Sequence, residues 1–205
     1  MQRSSGRPIA PIGRHGVINA GQPAVLGSIS RQGPSSAMPV ETTPAGTNIE
    51  TSVIVGAIQQ ATESVFSMML SLPVEIQPHE TVPQPGPVDG VVALLGFTGP
   101  WAGTGVLFCD EVFACKIGSA MLMMEVTEIN GDVLDGLGEV ANMVLGNFKE
   151  SLESHTGPLG LSVPTVVYGK NFSTRTGIKA DWTIVPFRSG DEGRFEVRIC
   201  IQQLQ

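Results

Sequence analysis

Apolar positions recur at helical spacing in three stretches of the chain and alternate at strand spacing in others. Over residues 53–72, Ile54, Ala57, Ile58, Ala61, Val65, Met69 and Leu70 share one side, which predicts a helix capped by Asn48 or Thr51 and stopped by Pro73. A short strand is expected at 74–77, then a Pro-rich loop at 79–88. Residues 90–96 and 103–108 read as a hairpin joined through 98–102, with Trp101 either a packed anchor or a partner contact. Asp110 is placed to cap a helix over 111–124, whose apolar side is Phe113, Ile117, Ala120, Met121 and Met124. The methionines at 121, 123 and 124 are expected to fill core. A long helix follows over 132–153, with Gly131 and Asp132 at its start and the stop residues His155, Thr156, Gly157 and Pro158 behind it. Strands are predicted at 164–168, 180–187 and 194–203, with a turn at 191–193. In the last, Phe195, Val197, Ile199 and Ile201 alternate with Glu196, Arg198 and Cys200, the period of a sheet with one wet face. The order αβββααβββ gives an α+β fold class: an antiparallel sheet with helices packed on it.

The long helix carries the chemistry. Val133, Leu134, Leu137, Val140, Ala141, Val144, Leu145 and Phe148 make an almost wholly apolar face. On the other side Asp135, Glu139, Asn142 and Gly146 fall within roughly 60° of one another at about 100° per residue. Burial is settled by the first face, which leaves the stripe free for another task. Glu139 and Asn142, three residues apart, are surface neighbours able to touch one partner together. A carboxylate can dock a lysine, and an amide both donates and accepts hydrogen bonds, so it can hold a water with a lone pair aimed at an electrophile. An acyl phosphate is activated enough to need positioning rather than a strong base, the role that the water-orienting glutamine plays in GTPases. Gly136, Gly138 and Gly146 each cost about 1 kcal/mol relative to alanine inside a helix. Gly136 and Gly146 lie on the outer half of the wheel, where a smooth surface admits another protein's backbone. Met143, also read as outward, is an adaptable contact for that partner.

The spacing Asp135-x-x-x-Glu139-x-x-Asn142-x-x-x-Gly146 resembles the signature helix of the CheC/CheX/FliY phosphatases, and the element order over residues 48–205 is similar to that family's layout. The resemblance implies dephosphorylation of aspartyl-phosphate on a CheY-like response-regulator receiver domain in chemotaxis-type signalling. By that likeness Asn142 orients the attacking water and Glu139 grips a lysine of the regulator. Asp135, Met143 and Gly146 are expected to contact the partner. No cofactor is expected in this chain, and Mg2+ is expected in the partner's own acidic pocket. CheC and FliY relatives carry two signature copies. Here the first helix has Glu63, but Phe66 stands where the asparagine is required, which makes the chain most like CheX, whose members form homodimers by joining sheets. A non-enzymatic adaptor using the same helix face to bind a receiver or a flagellar-switch component is the alternative. A scaffold whose stripe is merely solvated is the third.

Composition narrows the rest. Charged residues make up only 15% of the chain, which fits a homodimer or another buried interface. Residues 1–46 are rich in Gly, Pro, Ser and Gln and lack periodicity, so they are expected to form a disordered tail ahead of a domain at 47–205. Four arginines against Glu41 give that tail +3, so the remainder carries −10 of the chain's net −7. An acidic domain with few aromatics argues against nucleic acid as a partner. The tail's arginines either touch an acidic partner or membrane surface or simply keep it soluble. Cys109, Cys115 and Cys200 form no C-x-x-C pair, and His15, His79 and His155 offer no metal spacing. Glycines at 96, 99, 103 and 105 are not followed by Lys-Ser/Thr, so a phosphate-binding P-loop fails and a tight hairpin remains. No secretory signal or membrane-length apolar run is visible, and a cytoplasmic protein is expected.

Overall fold

The computed structural model describes residues 49–191 and 193–204; the expected tail at 1–46 lies outside them. The chain runs α1 (Thr51–Met69), β1 (Glu75–Ile76), β2 (Glu80–Val82), β3 (Val88–Thr98), β4 (Trp101–Cys109), α2 (Glu111–Leu122), α3 (Gly131–Thr156), β5 (Gly160–Leu161), β6 (Thr165–Phe172), β7 (Trp182–Ser189) and β8 (Gly193–Gln203). The strands form one eight-stranded sheet in the order β1-β7-β8-β4-β3-β5, with β2 also on β7 and β6 also on β3. Every pairing is antiparallel, and three helices pack against the sheet, so the α+β expectation holds.

Several boundaries differ from the sequence reading. The first helix ends at Met69, short of Pro73, because Leu70 caps it and Ser71 turns to φ 53°. Its N-cap is Glu50, whose side chain makes no capping bond; Thr51 is already helical, and Asn48 lies outside the described residues. The loop expected at 79–88 holds β2, registered on β7 from Glu80↔Ile184 to Val82↔Trp182. The β3–β4 hairpin is longer than predicted, leaving Gly99 and Pro100 between its strands. Trp101 is 4% exposed, which decides for the packed anchor. Met123 and Met124 do not fill core: they are 88% and 62% exposed, because α2 stops at Leu122 and Met123 turns left-handed at the cap. The far face of the sheet is only partly wet. Glu196 is half-exposed there, but Arg198 and Cys200 are buried, in a second apolar layer built on Val92, Val106, Trp182 and Ile184.

Two glycines fix where the layers meet. Gly90 sits at φ 137° at a register shift between β3 and β6, and a Cβ there would collide with the Cys109 carbonyl. On the helix side of β4, a Cβ on Gly105 would stand 2.7 Å from Leu145 Cδ2, so the missing side chain lets α3 settle close on the sheet. That contact sets the depth at which α3 lies and therefore how far its outer ridge stands proud.

Candidate active site

The helix carrying the stripe begins with a side-chain cap: Asn130 Oδ1 accepts from Val133 N at 2.9 Å. Val133, Leu137, Val140, Ala141, Val144, Leu145 and Phe148 are all fully buried against the sheet and the other helices. With about seven large groups seated, rotation of α3 about its axis would expose several kcal/mol of apolar surface. The opposite ridge is thereby held outward. Asp135 and Glu139 are exposed, and Asn142 and Gly146 are half-exposed.

The four stripe residues therefore stand together on one open face. Neither described ion pair, Lys149–Glu153 nor Arg198–Glu196, engages Glu139, so its carboxylate is free to meet a cation. Around Gly146 nothing lies within 4 Å of where a Cβ would be, so packing does not explain that glycine. At Gly136 a Cβ would meet Met121 of α2 at an ordinary contact distance of 3.7 Å, so packing does not demand that glycine either. Gly138 is buried, with Val166 of β6 at 3.2 Å from a Cβ position, and belongs to the packing. Met143, expected to lie outward, is half-exposed like Asn142 and Gly146, with part of its side chain packed against the core.

The ridge continues past what the spacing revealed. Lys149 Nζ and Glu153 Oε1 pair at 2.5 Å one turn beyond Gly146, and Leu159 N also donates to Glu153. The hydrogen bond from Lys149, and then that from Leu159, holds the Glu153 carboxyl below its ordinary range. Beside the ridge a recess of about 340 Å³ separates α1 from α3, lined by Gln60, Ser64, Asn147, Glu150 and Ser151 among others. Only the i, i+4 spacing of Lys149 and Glu153 was a legible signal; the recess arises from two helices distant in sequence.

On α1 the second signature position is closed. Glu63 is half-buried and accepts from Gln59 at 2.8 Å. Phe66, in the asparagine's place, is fully buried and stacks on Phe195 with ring centroids 4.5 Å apart. The stack continues through Phe113 and Phe187, so α1 spends this position on the core. Among the described residues no group of three or more His, Cys, Asp or Glu could hold a metal ion. No helix there is long and apolar enough to cross a membrane.

Residues 91–188 match the family model described as chemotaxis phosphatase CheX, a segment that includes the whole of α3. A search of curated proteins returns no match. Among solved structures, the chemotaxis protein CheX from Vibrio vulnificus is 27% identical, with a TM-score of 0.64, over 76% of this chain and 100% of that one. CheX from Desulfovibrio desulfuricans is 25% identical at a TM-score of 0.65, over 73% and 99%. A CheX–CheY–BeF3–Mg2+ complex from Borrelia burgdorferi contains a chain 24% identical at a TM-score of 0.64, over 73% and 98%. The resemblance carried by the signature helix thus extends to the CheX family's sequence pattern over residues 91–188 and to the CheX fold over the domain, and within the CheC/CheX/FliY group the chain is most similar to CheX.

Proposed function

We propose that the protein hydrolyses aspartyl-phosphate on a CheY-like receiver domain, using the Glu139–Asn142 pair. The observation that carries this reading is the placement of exposed Glu139 beside half-exposed Asn142 on a ridge whose opposite face is fully buried. Support comes from the CheX family match and from the Borrelia complex, in which a CheX is bound to a CheY with BeF3 and Mg2+.

Glu139 docks a lysine of the receiver, fixing the register of the two surfaces. Asn142 then enters the receiver's phosphorylation pocket and holds a water in line with the phosphorus–oxygen bond. The water oxygen attacks phosphorus, the bond to the aspartate oxygen breaks, and the water's protons leave on the product phosphate. The receiver's carboxylate is the leaving group and needs no proton, so the amide serves without a base. Mg2+ in the receiver's acidic pocket would supply charge neutralisation to the transferring group. Asp135, Met143 and Gly146 extend the contact surface around the pair. The reading includes a homodimer. β6 is paired on one side by β3, and its other edge offers unpaired backbone through which two sheets can join.

The test is the lifetime of a phosphorylated receiver with and without the protein. Asn142→Ala is expected to lower the acceleration by on the order of 10²-fold while leaving the circular dichroism spectrum unchanged. Glu139→Ala should weaken binding as well as rate. Equal acceleration by wild type and Asn142→Ala would overturn the assignment. A receiver that binds with an unchanged lifetime would replace catalysis with the adaptor reading.

A further inference from the structure

On the sheet face opposite α3, segment 173–181 crosses back over the strands and leaves a recess of about 370 Å³. Its rim is built from Thr104, Ser162, Thr165, Thr174, Arg175 and Thr176. Leu94 and the buried Trp182 give it an apolar floor. No carboxylate lines it.

The charge here runs against the rest of the domain. Residues 170–179 carry Lys170, Arg175 and Lys179 with no acidic residue, inside a domain whose net charge is strongly negative. Arg175 belongs to neither described ion pair. A cationic side chain is thus poised beside a hydroxyl-rich recess, with no acid in the lining to neutralise it.

The walls are tied in place. Gln84 Nε2 donates to the Thr174 carbonyl at 2.8 Å, and the Thr104 and Thr176 hydroxyls meet at 3.3 Å, so the crossing segment is held to both β4 and the β2–β3 loop. Ser162 Oγ accepts from Gly96 N at 2.9 Å and donates to the Val163 carbonyl. These bonds pre-order the recess, which lowers the entropy a ligand must overcome.

We propose that this recess binds a phosphate monoester or free phosphate, independently of the α3 ridge. Arg175 pairs with the oxyanion, since a guanidinium presents donors in a fork that suits phosphate oxygens. The Thr165 and Thr174 hydroxyls donate to the same group. The space beyond it is larger than a bare phosphate fills, lies at the small end of the usual ligand-pocket range, and ends on Trp182 and Leu94, so it suits a compact organic substituent.

The experiment is a titration of the full chain, followed by amide and indole NMR shifts, with inorganic phosphate and glucose 6-phosphate as probes and sodium chloride as the ionic-strength control. Saturable shifts confined to Thr104, Thr165, residues 174–177 and the Trp182 indole are expected, absent from Glu139 and Asn142. Tighter binding of glucose 6-phosphate supports a monoester as ligand; equal binding supports free phosphate. Arg175→Gln, on an exposed segment, should weaken binding roughly tenfold or more. Thr165→Val should weaken it less, without changing the melting temperature. Non-saturating shifts at millimolar phosphate, saturation shared with chloride, or an Arg175→Gln affinity equal to wild type would each overturn the proposal.

Discussion

Gly146 is the residue at which stability and surface shape part company. With open space around it on a helix, Gly146→Ala should stabilise the fold by about 1 kcal/mol, read as a raised denaturation midpoint. On the proposed reading the same substitution slows receiver dephosphorylation, because a methyl group now stands where the partner's backbone approaches. A variant both more stable and fully active would remove Gly146 from the docking surface. Phe66 makes the converse case. Phe66→Asn restores the signature spacing on α1, yet it should create no second site and cost about 3–5 kcal/mol, since it removes a fully buried ring from the stack with Phe195 and Phe113. The side on which Glu139 and Asn142 lie was legible because a helix of this length has only one way to bury eight apolar residues. Met143 borders the stripe on the wheel, and its half-exposed side chain, partly packed on the core, fits that position.

At the level of elements, α3 depends on its first turn. Asn130→Ala should cost about 1 kcal/mol by orphaning the Val133 amide, and the loss is measurable by chemical denaturation. Asp110→Ala should do the same to α2, where Oδ1 accepts from Phe113 N at 2.7 Å. Both caps follow Asx-before-helix logic, but only Asp110 is plain in the sequence; at 130–132 Asn, Gly and Asp come in succession, and the pattern alone points to Gly131 and Asp132 as the start. The long strands were legible from alternation. The short strand expected at 74–77 is found as β1, but β2 and β5, of three and two residues, have no counterpart in the sequence pattern, because a period of two cannot be seen over so short a run and their pairing depends on β7 and β3. The exposed Met123 and Met124 belong to the same lesson: hydrophobic composition marked them for the core, while a left-handed cap ended the helix before they could reach it.

Across the whole molecule, Cys109, Cys115 and Cys200 are buried, and burial raises each thiol's pKa above its ordinary value. Folding thus favours the neutral thiols, and the unfolded chain ionises first. Their contribution is fully present below about pH 8.5 and is lost as pH rises above it, so stability should fall on the alkaline side. Cys109→Ala should flatten that slope in urea denaturation measured between neutral and alkaline pH; an unchanged slope would mean that the Cys109 thiol does not govern it. The fold class, the three helices and the outward Glu139–Asn142 ridge were legible in residue order, because helical and strand periods are local and each apolar face has one side to bury. Packing settled that β2 and β5 join the sheet, that Arg198 and Cys200 are buried on its far face, that Phe66 closes the second position, and that Thr176 meets Thr104 of β4 beside a recess. Those outcomes depend on contacts between residues far apart in the chain, for which no local period exists.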